Sequence, residues 1–86
     1  MASPTRMLTK AEAKTITLAP GTLIAERNGW QLWHGQDLLD ETRGGRLCLR
    51  INRAVVKGPN GHCTFYPMTV RYRAEAKGHF DRAVTP

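Results

Sequence analysis

The sequence predicts a mainly β fold, with α+β as the neighbouring class. The expected architecture is a small bent antiparallel sheet or partly open barrel of four to five strands, with one short helix between two hairpins. Three observations lead there. Asn28-Gly29, the preferred pair for a two-residue type I′ turn, joins two runs of alternating character. Gly58-Pro59-Asn60-Gly61 separates two longer alternating runs, from Arg46 to Lys57 and from His62 to Glu75. Finally, 86 residues hold one core and not two, and 41% hydrophobic with 23% charged residues is an ordinary globular balance.

In chain order, residues 1–14 read as an N-terminal tail or short helical turn. Thr9 followed by Glu12 has capping-box spacing, so Lys10 to Lys14 is expected to form one turn. A single β-rich domain is expected over residues 15–76. Thr15 to Ala19 alternates and suggests a strand, ended by Pro20-Gly21. Thr22 to His34 is the first hairpin, with Arg27 facing Trp30, Ala25 facing Leu32 and Ile24 facing Trp33. Gly35 to Arg43 suggests a short helix or turn, with Asp37 near its start and Gly44-Gly45 closing it. Residues 77–86 read as a C-terminal tail.

The second hairpin organises the rest. If the loop is Gly58 to Gly61, Lys57 faces His62, and the pairs Leu47–Tyr72, Leu49–Val70 and Ile51–Met68 fall on one face as the expected centre of the core. Pro67 then lies opposite Asn52, where the parity of the apolar residues changes, and a bulge is expected there. The outward face collects Arg46, Arg50, Arg53, Lys57, Arg71 and Arg73, with Tyr66 among them.

Charge points the same way. Residues 1–42 carry a net −1 and residues 43–86 a net +7, an asymmetry that suggests an anionic partner for the second half. No apolar run approaches the roughly 18 residues of a membrane span. The first residues lack the hydrophobic core of a signal peptide, so a cytoplasmic location is expected.

Catalytic patterns are not legible. Asp37, Asp40 and Glu41 sit together within five residues, in an expected solvated turn, which does not suit an acid–base pair. Cys48, Cys63 and the histidines lack the close-spaced ligand pairs of a structural zinc site, and no metal or cofactor is expected. In the expected register the two cysteines lie several residue pairs apart, beyond the roughly 7 Å that a bridge needs, so both are expected as free thiols. The Gly-rich turns lack the helix start and Lys-Ser/Thr of a phosphate loop.

The function expected is therefore a non-enzymatic, small basic binding module. Arg46, Arg50, Arg53, Lys57, Arg71 and Arg73 would contact the phosphates of a nucleic acid or nucleoprotein complex, with Tyr66, Trp30 or Trp33 available to stack on a base or meet a partner. A two-stranded ribbon also matches the width of a DNA major groove. The alternative, from another class, is a phage or mobile-element accessory protein that inhibits or adapts a host complex by docking on an acidic protein surface.

Overall fold

The structure, a computed structural model, describes residues 5–86. The fold is mainly β: a five-stranded antiparallel sheet that does not close, with a long helix near the C-terminus. In chain order the elements are β1 (Thr5–Leu8), α1 (Lys10–Thr15), β2 (Pro20–Arg27), β3 (Trp30–Glu41), β4 (Leu47–Lys57), β5 (Cys63–Pro67) and α2 (Val70–Val84). Among the described residues no helix is long and apolar enough to cross a membrane.

The long β3–β4 hairpin is the spine. It pairs from Gln31↔Lys57 at one end to Glu41↔Leu47 at the other. The outer side of β4 is shared: Leu47 to Arg50 pair with β1, and Arg53 to Lys57 pair with β5. β2 pairs with the first half of β3 and forms an edge. Two register shifts bend the spine near its middle. One lies between Trp33 and Gln36, where Gly35 has φ 73°, and the other on β4 near Asn52, φ 59°. Extra residues at such points bend and twist a strand.

Asp37 fixes this bend. Its Oδ1 accepts the Asn52 backbone N–H at 3.1 Å, and its Oδ2 accepts the Ala19 N–H at 2.9 Å. The Asp37 N–H in turn donates to the Ala19 carbonyl at 3.0 Å. A carboxylate suits two such donors because it accepts on both oxygens and offers no N–H of its own.

α2 covers one face of the sheet. Its Ala76, Phe80 and Val84, spaced four residues apart, form a stripe that packs on Leu32, Ala54 and Val56, with Ala25, Trp30, Tyr66 and Met68 around it. Thr69 starts the helix: its Oγ1 accepts the Tyr72 N–H at 3.4 Å. Pro67, which has no N–H to extend the ladder, is the last residue of β5.

Several expectations hold. The Thr9–Glu12 capping box starts α1, with both reciprocal bonds present. Those bonds, the Thr9 backbone N–H foremost, hold the Glu12 carboxyl below its ordinary pKa. Asn28 (φ 54°) and Gly29 (φ 81°) form the first hairpin turn, with Arg27↔Trp30 and Ala25↔Leu32 as expected; a register shift at Ile24 puts Leu23, not Ile24, opposite Trp33. Both cysteines are free, Cys48 buried and Cys63 exposed.

Others need correction. The helix expected between the hairpins is absent: residues 35–41 continue β3, because β4 offers partners to Leu38, Leu39, Asp40 and Glu41 and because Asp37 is engaged with backbone donors. Thr15 to Ala19 does not form a strand. Residues 77–84, expected as tail, are the second half of α2. The core expected around Leu47, Leu49, Ile51, Met68, Val70 and Tyr72 is not the core found: Leu49 is buried, but Val70 is 76% exposed. The spacing of 70 and 72 with 68 matches a strand, yet 72, 76, 80 and 84 match a helix over a longer stretch.

Candidate functional site

A one-residue slip decides what each face carries. The loop after β4 holds five residues, closed by the Gly58 N–H donating to the His62 carbonyl at 2.9 Å, so Lys57 pairs with Cys63 and not with His62. Side chains alternate along a strand, so this slip exchanges the two faces of β5. Tyr66, opposite Ala54, turns toward α2; Phe65, opposite Val55, turns away from it.

The face turned away from α2 is where the basic residues of β4 gather with aromatics. Trp33, Val55 and Phe65 form one row across β3, β4 and β5, and Gln31, Lys57 and Cys63 form the next. Val55 is fully buried, while Trp33 and Phe65 are half-buried. Lys57 Nζ lies 4.9 Å from the Trp33 ring centroid, and the Arg50 guanidinium carbon 4.9 Å from that of Phe65. Each cation thus roofs an aromatic ring, an electrostatic contact worth about 0.5–1 kcal/mol at exposed sites.

The rest of the face sets these groups in place. The Trp33 indole N–H donates to Gln31 Oε1 at 3.0 Å, and Gln31 Nε2 donates to Glu26 Oε2 at 2.6 Å, so the indole orientation is fixed by a relay from β2. Arg50 Nε lies 3.5 Å from Asp40 Oδ2, a loose pair that leaves the guanidinium half-buried. Arg53, between them, is only 6% exposed. Burial, and then the nearby Arg50, holds its pKa below the ordinary value. Opposite Arg53, the buried Gln36 Oε1 has no hydrogen-bond partner among the described residues.

The remaining sequence-predicted residues are elsewhere. Arg46 is exposed in the 42–46 loop, its backbone N–H donating to Thr42 Oγ1 at 3.3 Å. Arg71 and Arg73 are on the first turns of α2; Arg71 Nε lies 3.7 Å from Glu75 Oε1, and the Arg71 guanidinium lies against Tyr72. Arg46, Arg71 and Arg73 therefore do not share a strand face with Arg50, Arg53 and Lys57. Tyr66 is not a free stacking platform: its hydroxyl is 2.8 Å from His79 Nδ1. Trp30 packs against His79, ring centroids 6.1 Å apart, and its ring closes on Gly58, where an added Cβ would sit 3.1 Å from the indole. Phe65 is the residue that sequence reasoning missed. The signal was available in the loop: a five-residue connection ending at His62 puts Phe65, not Tyr66, beside Arg50.

The chain was compared with protein-family models, curated proteins and solved structures, and nothing matches.

Proposed function

We propose that this protein is a non-enzymatic module that binds single-stranded nucleic acid on the β3–β4–β5 face opposite α2. The observation that carries the reading is the pairing of Trp33 with Lys57 and of Phe65 with Arg50 on one sheet face, with Arg53 between them. Proteins that hold single strands without sequence preference combine cations that follow the backbone with aromatic rings that stack on bases. Here Lys57 and Arg50 would turn outward to phosphates and uncover the two rings. The rings are two strand spacings apart, roughly 10 Å, so they would engage two bases of one extended strand. The basic half of the chain supplies the field that draws such a strand in.

The major-groove reading has less support. β4 is paired on both sides, to β3 and to β1 and β5, so no free two-stranded ribbon stands out to enter a groove.

The test is fluorescence anisotropy with a labelled 20-nucleotide dT strand, the matching RNA and a duplex. Single strands should bind more tightly than duplex, with log affinity falling by about 0.7 per log unit of salt for each phosphate contacted. Arg50→Gln with Lys57→Gln should weaken binding at least tenfold, while Arg71→Gln on α2 should leave it unchanged. In a Trp30→Phe background, stacking should quench Trp33 emission. Equal losses from the sheet-face and α2 substitutions, or no binding by any strand, would refute the assignment.

A further inference from the structure

The opposite side of the molecule carries a second surface. Between α2 and the edge strand β2 lies an open groove of about 450 Å³. Its apolar lining comes from Ile24, Ala25 and Leu32 of the sheet and Val70, Ala74 and Phe80 of α2. At its mouth Ile24 is 48% and Val70 76% exposed. Large apolar side chains gathered and exposed in this way mark an interaction surface more than scattered ones do.

We infer that this groove receives an extended protein segment, acidic and apolar in alternation, which adds as a strand to the edge of β2 and lies along α2.

Two independent features define that occupant. The first is the edge itself. β2 ends the sheet on this side, so its outer backbone N–H and C=O groups have no strand partner among the described residues. Natural edges are guarded by charges, prolines or bulges; β2 has Pro20 at its start and a register shift at Ile24, but residues 20–25 (Pro-Gly-Thr-Leu-Ile-Ala) carry no charge. A peptide strand added there would gain main-chain hydrogen bonds, and alternate side chains would point into the groove, as in other strand-addition sites.

The second feature is the charge of the rim. Lys77 is taken by Asp81 at 2.7 Å, so that pair is neutral. Arg73 has no ionic partner among the described residues. His34 lines the same groove, and burial first, then the charge of Arg73, keeps it below its ordinary pKa. The uncompensated charge at the groove is therefore positive, and a carboxylate on the incoming segment would meet it. A second copy of this basic chain suits the rim less well.

The experiment is selection from a displayed library of random octapeptides on the intact protein, followed by resynthesis of the enriched peptides. The expected result is alternating apolar residues with Asp or Glu at one fixed position. Ala74→Trp, at an exposed helix position, should fill the groove and weaken binding at least tenfold. Arg73→Glu should shift selection from acidic to basic peptides, a reversal that a merely structural role would not produce. N-methylation of alternate peptide residues should abolish binding in one phase and spare it in the other. Arg50→Gln with Lys57→Gln should leave selection unchanged, so this site and the nucleic-acid face fail or stand separately. No enrichment, insensitivity to N-methylation, or a concentration-dependent dimer that displaces the peptide would each overturn the inference.

Discussion

Removing the Asp37 carboxylate tests how the sheet is bent. Asp37→Ala deletes two hydrogen bonds to backbone donors, at 3.1 and 2.9 Å, that tie the β4 irregularity at Asn52 and the segment before β2 to the middle of β3. A hydrogen bond to a charged group contributes about 1.5–3 kcal/mol net when its partner is left buried. Here both donors lie where water can reach them, so each loss falls below that range, at about 1 kcal/mol, and the sum is about 2 kcal/mol. For a domain of this size that lowers Tm by roughly 10 °C. Asp37→Asn keeps one acceptor oxygen but turns an N–H toward the second donor, so it should lose about half as much as Ala or slightly more. Glu41→Gln, an exposed charge on the same strand, is the control and should change Tm little. Thermal unfolding followed by circular dichroism gives the Tm values, and hydrogen exchange should show the Asn52 amide losing protection in Asp37→Ala alone. A Tm within about 2 °C of the parent, or unaltered protection of Asn52, would show that strand pairing bends the sheet without the clamp.

Three further outcomes are expected. Phe80→Ala should cost about 3–5 kcal/mol, because the ring is 6% exposed in the stripe against Leu32 and Val56; a cooperative transition at the parent midpoint in urea would refute its place in the core. Cys63 should take up an alkylating reagent in the native protein and Cys48 only after denaturation, with no reductant needed in either case; intact mass showing two rapid native additions would contradict the burial of Cys48. His34 is held below its ordinary pKa of 6.5 by burial and then by Arg73, so the unfolded chain takes up its proton first as pH falls. The stability associated with neutral His34 is present above pH 6.5 and is lost as pH falls from there through its lower folded value. His34→Gln should flatten that part of the stability–pH curve measured by urea titration, and an unchanged slope would assign it to another group.

Features with local causes were legible in the residues alone. Asn28-Gly29 fixes a tight turn because both positions need positive φ, and Thr9 with Glu12 fixes the start of α1 because the two satisfy each other's backbone donors. The mainly β class and the basic character of the second half were equally legible, since both follow from pattern and composition. Tertiary structure decided the rest. Residues 35–41 are strand because β4 stands beside them, although Asp37-Leu38-Leu39-Asp40-Glu41 has no preference strong enough to say so alone. Val70 to Val84 is helix because Ala76, Phe80 and Val84 find Leu32, Ala54 and Val56 to cover, a contact that spans most of the chain. Above all, one residue in the loop after β4 moved Tyr66 to the packed face and Phe65 to the basic one. Side chains repeat with period two along a strand, so a register uncertain by one residue leaves the composition of both faces undecided until the whole sheet is assembled.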